Sequence, residues 1–298
     1  MGKTIKIVTD SSCNLTTTEI EQFGLMVIPV RIRIGKETFK ENSALNLSSI
    51  AYKINSEKSI PKVVSPSVDE FFKTYSLVYP RFNNILSIHL ASGVSDIFTE
   101  AKNAQALLYD ANINVVDSTL TEVGLKPLLL KVATLAMNQT PEHEIINTMQ
   151  HAASRFTSFA IASQFRFVQT NTNYHKRSFT LPSISDQHNR YLFSSTQGNL
   201  YLIDKLPHTQ VIDHFLKMME SLQKEKPVYM RIQYALDREL AYSLADTLVT
   251  KLDVIVKSID EMSVSSMCRF GTHAVTLGFT EQEDFFEEYL SSKAEPTN

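Results

Sequence analysis

The chain has 298 residues, a formal net charge of −3 and a pI near 6.3. This length favours two domains of roughly 100–200 residues each, and the balanced charge argues against a protein that coats nucleic acid or an anionic membrane. Its only two cysteines, Cys13 and Cys268, are far apart in sequence. They suggest neither a disulfide framework nor a zinc cluster and fit a cytoplasmic protein. No apolar run has the length of a signal peptide core or of a membrane span.

Strands and helices alternate over the first half of the chain. Short apolar blocks predict strands at residues 5–8, 85–90 and 113–118. Helical spacing and cap residues predict helices at 16–23, 46–55, 68–79, 95–108 and 123–137, and a further helix after Thr140. Residues 26–39 alternate apolar and charged side chains around Gly35, which predicts a hairpin. We therefore expect a mostly parallel sheet with helices on both faces in an N-terminal α/β domain, residues 1–156.

The pattern changes in the second half. Strands are predicted at residues 159–163, 191–194, 199–202, 228–234, 254–258 and 274–279. Helices are predicted at 211–223, 238–251 and 281–290, and the polar stretch 169–189 is expected to be a surface loop. We expect a second α/β domain with a mixed sheet over residues 157–298.

Small hydroxyl and acidic residues cluster at the ends of predicted strands. They are Thr9, Asp10, Ser11, Ser12, Ser65, Ser67, Ser92, Ser95, Asp117, Ser118 and Thr119. Each one alone is more often a helix cap or a turn residue. Together they would line one edge of the sheet, where open α/β folds bind ligands. Hydroxyls without an adjacent base are poor nucleophiles but good donors to a carboxylate, so this edge predicts a receptor for an anion.

The sequence lacks the signatures of common enzyme classes. It has no G-x-G-x-x-G, Walker lysine loop, H-E-x-x-H or G-x-S-x-G. The eight histidines are scattered, so we expect neither a metal site nor a cofactor. A serine acyl hydrolase remains an alternative, because a triad can be drawn from Ser95, His273 and Asp10 or Asp117.

Several of these segments resemble the DegV family. Residues 9–15, T-D-S-S-C-N-L, resemble the family signature T-D-S-x-x-D/N-L that follows its first strand. Residues 63–67, V-V-S-P-S, resemble the family's T-S-Q-P-S, and within residues 90–101 the eleven residues 91–101 align without a gap to its S-S-x-L-S-G-T-Y-Q-S-A. Residues 115–118 resemble its V-x-D-S strand end. On these motifs the chain is identified as a divergent member of the family.

The resemblance implies a two-domain α/β protein that binds one long-chain fatty acid without chemistry of its own. The acyl chain would lie in the N-terminal domain and the carboxylate between the domains, and a separate fatty-acid kinase is the implied partner. No cofactor other than the bound fatty acid is implied. The expected ligand-binding positions are Asp10, Ser11, Val63, Ser65, Ser92, Ser95, Ile97 and His273.

Five positions near the expected head group differ from the family pattern. Val63 and Ile97 replace threonines and Asp96 replaces a glycine, while Asn173 and Gly271 fall near the family arginine and histidine. Two hydroxyl donors are thereby lost, and an acid beside the site would repel a carboxylate. The alternative hypothesis is a DegV fold that binds another apolar or uncharged ligand, or a protein partner.

Overall fold

The computed structural model describes residues 5–42, 44–82, 84–174, 188–222 and 227–285. The strands of the first half are β1 (Ile5–Asp10), β2 (Met26–Ile28), β3 (Arg31–Ile34), β4 (Glu37–Lys40), β5 (Lys62–Val64), β6 (Asn84–His89) and β7 (Ile113–Asp117). Its helices are α1 (Thr17–Gln22), α2 (Leu47–Glu57), α3 (Val68–Val78), α4 (Ile97–Ala106), α5 (Glu122–Met137) and α6 (Glu142–Ser154).

Four of these strands form a parallel sheet in the order β2-β1-β6-β7. Helices α3 and α4 cover one face, where Phe71 and Ala101 pack with Val8. Helix α5 covers the other face, where Leu128 packs with Ile88. The predicted parallel sheet with helices on both faces is therefore confirmed.

The predicted hairpin divides at Pro29. Residues before it extend the parallel sheet as β2, whereas β3 and β4 pair around the predicted turn and join β5 in a separate sheet. Proline has no N–H to give to a strand ladder, which suits a position where the chain leaves one sheet for another. Gly35 has a φ of +56°, a conformation that glycine adopts at little steric cost.

The second half contains a six-stranded mixed sheet in the order β10-β9-β8-β13-β11-β12. Its strands are β8 (Thr157–Ala162), β9 (Asn189–Thr196), β10 (Asn199–Pro207), β11 (Val228–Tyr234), β12 (Val254–Glu261) and β13 (Val275–Thr280), and its helices are α7 (Phe165–Asn171), α8 (Val211–Leu222), α9 (Arg238–Lys251) and α10 (Val264–Phe270). Within the described part of this sheet, β11 and β12 are the one pair of neighbouring strands that runs in parallel. This confirms the predicted mixed sheet.

The structure differs from the sequence-based prediction, or describes it only in part, at three places. Helix α7 extends into the stretch expected to be a loop, and residues 175–187 of that stretch lie outside the described residues. Helix α10 was not predicted: it is only seven residues long and all of them are buried, including the polar Ser265, Ser266 and Arg269, so its pattern does not separate a buried from a solvent-exposed face. Of the helix predicted at 281–290, the structure describes a 3₁₀ turn at Glu283–Phe285, and the rest lies outside the described residues.

The two halves share one hydrophobic core. Helix α5 contacts β1 of the parallel sheet and β13 of the mixed sheet. The same cluster joins Leu86 from the first half to Ala160, Phe193 and Phe270 from the second. The domain boundary predicted after residue 156 falls between α6 and β8 and stays a prediction.

Candidate ligand-binding site

The turn between β6 and α4 carries two of the predicted ligand-binding serines. Ser95 is 8% exposed, and its N–H donates to the carbonyl oxygen of Ala91 (3.0 Å). Within the described residues, no hydrogen bond is seen for its hydroxyl. Ser92 is exposed, and its N–H donates to a carboxylate oxygen of Asp117 (3.2 Å). Of the two, Ser95 therefore has the sheltered hydroxyl that a ligand head group requires.

Asn173 closes this turn from the second half of the chain. Its Nδ2 donates to the carbonyl oxygen of Ser92 (3.1 Å) and to Oδ1 of Asp96 (3.0 Å). Two of the departures from the family pattern, Asp96 and Asn173, are thus partners of each other. Because Asp96 is exposed and already accepts a hydrogen bond, its repulsion of a ligand is smaller than its position in sequence suggests.

The turn between β9 and β10 packs on the same segment. Gly198, in that turn, has a φ of +79°. A Cβ atom added to Gly93 would lie 2.9 Å from Oδ1 of Asn199 and closer still to the carbonyl oxygen of Gly198. The hairpin of the mixed sheet therefore covers the carboxyl edge of the parallel sheet at Gly93, and only a residue without a side chain fits there.

Gly93→Ala is expected to lower the free energy of unfolding by about 1–3 kcal/mol, because the added methyl group would push the hairpin away. Urea denaturation measures this change. The neighbouring Ser92→Ala, on an exposed side chain, is the control and should stay within about 0.5 kcal/mol of the wild type. Equal stability of the Gly93→Ala protein and the wild type would show that the hairpin does not press on this turn.

The remaining predicted positions are spread around this edge. Ser65 and Val63 are half-buried, and the N–H of Val63 donates to Oδ1 of Asn171 (2.8 Å). Ile97 is fully buried in the core beneath α4. His273 is partly exposed, and partial burial, with the nearby charges of Arg190 and His208, lowers its pKa against the opposing effect of Asp237. The imidazole is therefore neutral at pH 7 and would meet a ligand as a hydrogen-bonding group.

Asp10 belongs to a chain of buried polar side chains. Its Oδ2 lies 2.9 Å from Nδ1 of His89, whose Nε2 lies 2.7 Å from Oγ of Ser87. The hydroxyl of Tyr75 donates to the same Ser87 oxygen (2.8 Å). Asp10 and His89 are 0% exposed, and Ser87 lies inside β6. The order Asp–His–Ser is that of a hydrolase, but this serine has no access to a substrate, so the chain of hydrogen bonds holds β1 and β6 together.

The hydrolase triad drawn from the sequence is not assembled around Asp10. Its histidine partner is His89, whereas Nδ1 of His273 lies 3.0 Å from the hydroxyl of Thr272. Burial alone would raise the pKa of Asp10, but the hydrogen bond and charge of His89, the hydrogen bond from Ser12 and the charge of Arg269 outweigh it. The pKa of Asp10 therefore lies below its ordinary value, and the carboxylate is charged at neutral pH.

Ser11 contacts a second buried acid, Glu41, and Glu41 in turn links the first half of the chain to α10. The Ser11 hydroxyl donates to Oε2 of Glu41 (2.7 Å) and accepts from the N–H of Val30 (2.9 Å). The other carboxylate oxygen, Oε1, accepts from the N–H of Ser265 in α10 (2.6 Å). Burial raises the pKa of Glu41, although the hydrogen bonds from Ser265 and Ser11 and the charge of Arg269 oppose it.

A cavity of about 650 Å³ opens beside Ser11 and Glu41. This volume lies within the roughly 300–1,000 Å³ of typical small-molecule sites. Both halves of the chain supply its apolar walls, which include Cys13, Leu15, Ile20, Leu25, Leu45, Met262 and Val264. Of the predicted ligand-binding positions, Ser11 alone is among the described residues that line it.

The raised pKa of Glu41 predicts a pH dependence of stability. The folded state binds the Glu41 proton more tightly than the unfolded state, whose pKa is about 4.3. Stability is therefore lost as pH rises from that value through the folded-state pKa. Between pH 4 and pH 7, the free energy of unfolding of Glu41→Gln should therefore increase relative to that of the wild type. Urea denaturation at each pH measures this difference. Glu261→Gln removes an exposed acid at the same cavity and is the control for general charge effects. If the difference in the free energy of unfolding between Glu41→Gln and the wild type does not change with pH, the prediction is wrong.

Sequence reasoning missed several buried charged residues, three of which are important here. Besides Glu41, these are Glu122 at the start of α5 and Arg269 in α10, joined by an ion pair of 2.7 Å between Oε1 and Nη1. Arg269 is 0% and Glu122 1% exposed. A charged residue between apolar neighbours, such as Arg269 between Cys268 and Phe270, could have indicated a buried charge. The sequence does not show which distant segment supplies the opposite charge of the ion pair.

The parallel sheet, the mixed sheet and the cavity lined by both halves of the chain define an α/β protein with room for a small-molecule ligand. The model of the DegV family, a family described as uncharacterised proteins, matches residues 4–282. The chain therefore belongs to the DegV family.

Proteins with similar sequences and structures extend this comparison. The DegV domain-containing protein CPE1310 of Clostridium perfringens is 29% identical over 154 residues, which are 50% of this chain and 55% of that protein. The chain thus matches about half the length of this relative. DegV of Bacillus subtilis, a fatty acid binding protein, has a TM-score of 0.77 at 18% identity, covering 93% of this chain and 99% of that one. Hypothetical protein TM841 of Thermotoga maritima, whose structure reveals a fatty acid binding function, has a TM-score of 0.76 at 17% identity, with 93% and 99% covered.

Two observations concern membrane spans and metal sites. Among the helices that the structure describes, none combines the length and the apolar character of a membrane span. Its described residues also hold no group of three or more acidic, histidine or cysteine side chains placed to bind a metal ion. The absence of a cofactor and the cytoplasmic location stay predictions.

Proposed function

We propose that this protein is a non-catalytic binding protein for a long-chain fatty acid. Membership of the DegV family supports the proposal, as do the two fatty-acid-binding proteins of the same fold. The observation that carries it is the cavity of about 650 Å³ with apolar walls from both halves of the chain. Each buried methylene contributes about 0.8 kcal/mol, so a long acyl chain offers on the order of 10 kcal/mol before the cost of association.

A role without chemistry agrees with the polar groups of the site. The triad-like chain of Asp10, His89 and Ser87 is sealed in the core. The predicted ligand-binding positions instead offer the hydroxyl groups of Ser95 and Ser65, whereas the Ser11 hydroxyl already donates to Glu41. A carboxylate needs only a few such donors, so binding can occur where no activated nucleophile is present.

The proposal extends to a partner and a location. A carrier without chemistry must pass its ligand on, and a separate fatty-acid kinase is the acceptor that we propose. We place this exchange in the cytoplasm, where the free thiols of Cys13 and Cys268 stay reduced. The carboxylate is proposed to lie between two domains, residues 1–156 and 157–298, within reach of that kinase.

Thermal unfolding of delipidated protein with added hexadecanoic acid tests the proposal. A ligand at about 100 times its Kd stabilises the folded state by about 2.7 kcal/mol, so the Tm should rise clearly. Ser95 does not line the cavity, so Ser95→Ala tests the position of the head group separately: binding should weaken about tenfold or more if the carboxylate reaches this hydroxyl, with Ser92→Ala as the control. If Ser95→Ala binds like the wild type, the head group lies elsewhere; if no fatty acid raises the Tm of the wild type, the proposed function is wrong.

A further inference from the structure

The polar end of the cavity is acidic. Its described lining includes the carboxyl groups of Glu41 and Glu261 and the thiol of Cys13, and no lysine, arginine or histidine. Two cations act electrostatically on these acidic groups, and both are already paired elsewhere: Lys126 with Glu19 (2.7 Å) and Arg269 with Glu122 (2.7 Å). An ionised carboxylate entering this cavity would therefore meet acids without a dedicated counter-charge.

Glu41 is the acid at the buried side of this cavity. Both of its oxygens already accept hydrogen bonds, from Ser265 and from Ser11. The charged and titratable groups that act on it are Arg269, which favours its ionised form, and the buried thiols of Cys13 and Cys268. Two carboxyl groups at one buried site can hold at most one negative charge without strong repulsion. While Glu41 is ionised, a second carboxyl group beside it thus requires a proton.

We propose that this cavity binds a single-chain lipid in an uncharged form, with Glu41 as the residue that selects against an ionised carboxylate. The class includes a protonated long-chain acid and the long-chain alcohol of the same length. The inference rests on the proposed function and deepens it, because it states which form of the lipid is bound. It predicts that the neutral analogue is the better ligand at alkaline pH, where a free acid is ionised.

Binding of dodecanoic acid and dodecan-1-ol to the delipidated full chain tests the inference. The two probes share a chain length and differ only in the head group. In isothermal titration at pH 8, the alcohol should bind the wild type about tenfold or more tightly than the acid, equivalent to a shift of one pKa unit. Glu41→Gln should bring the two affinities within about threefold of each other. Glu261→Gln, the matched control at the exposed rim, should keep the wild-type ratio.

Two further measurements locate the lipid and guard against misfolding. Ala44 is exposed and lines the cavity, so Ala44→Trp should block it without disturbing the core and should abolish binding of both probes. If Glu41→Gln does not fold, the pH dependence of the wild type carries the test: the affinity of the acid should fall between pH 6 and pH 8, while that of the alcohol stays constant.

The outcomes separate the inference from the proposed function. Equal affinities of acid and alcohol for the wild type at pH 8, an unchanged ratio in Glu41→Gln, or full binding to Ala44→Trp would overturn the inference and leave fatty-acid binding intact. If neither probe nor any longer fatty acid binds the wild type, the proposed function fails as well.

Discussion

Arg269→Met is expected to lower the free energy of unfolding by about 3–5 kcal/mol, because it leaves the buried carboxylate of Glu122 without its partner. Both side chains are almost completely inaccessible, at 0% and 1% exposure, and they join α10 to α5. In the described part of the chain, Nε and Nη2 of Arg269 have no hydrogen-bond partner. The pair therefore adds little net stability of its own, and the cost arises from breaking it.

A double variant separates these two effects. Arg269→Met combined with Glu122→Leu removes both charges and should recover most of the lost stability, since apolar replacements of buried ion pairs are often neutral or stabilising. Arg231→Met is the matched control, because its partner Asp260 is 42% exposed and the expected loss is about 1 kcal/mol. Urea denaturation of the four proteins decides the matter. A double variant as unstable as Arg269→Met would show that the ion pair itself stabilises the fold.

Asp10→Ala is expected to destabilise the protein by about 2–5 kcal/mol. The substitution removes the acceptor for His89 and for the N–H of Ser12 (3.1 Å), and each buried donor left without a partner costs about 1–3 kcal/mol. Because the pKa of Asp10 is lowered in the folded state, its contribution is present above its unfolded pKa of about 3.9 and is lost as pH falls through the folded-state value. The difference between Asp10→Ala and the wild type should therefore shrink in acid.

Asp117→Ala is the matched control for this prediction. Asp117 also ends a strand of the parallel sheet, and its carboxylate accepts from the N–H groups of Ser92 (3.2 Å) and Thr119 (2.8 Å). It is only half-buried, so water can replace these contacts at a cost of about 1 kcal/mol. If both variants lose the same free energy of unfolding, the buried hydrogen bonds through His89 contribute no more stability than the turn at Asp117.

The architecture was predictable where local patterns decide it. Asn46 accepts from the N–H of Ser49, and Ser67 and Glu70 form a capping box at the start of the predicted helix 68–79, because helix caps depend on residues three positions apart. The parallel sheet was also predictable, because the alternation of strands and helices is visible in the local hydrophobic pattern. The helix predicted after Thr140 differs in its cap: α6 begins at Glu142, with Pro141 in the cap position and no side-chain cap.

The site was less predictable because its partners are distant in sequence. Ser11 was expected from the family signature, but its acceptor Glu41 lies 30 residues away and the link from Glu41 to Ser265 spans 224 residues. The pairing of Asp96 with Asn173 spans 77 residues and turns two apparent departures from the family pattern into one contact. Such pairs depend on how the two sheets meet, which no local periodicity encodes.

Native mass spectrometry of the gently purified protein tests the central claim most directly. The account predicts a species heavier than the chain by the mass of one long-chain fatty acid. Denaturation should release this lipid, and delipidated protein incubated with hexadecanoic acid should regain it at a ratio of one to one. Detection of only the mass of the bare chain, both after purification and after this incubation, would contradict the claim that the protein binds a fatty acid.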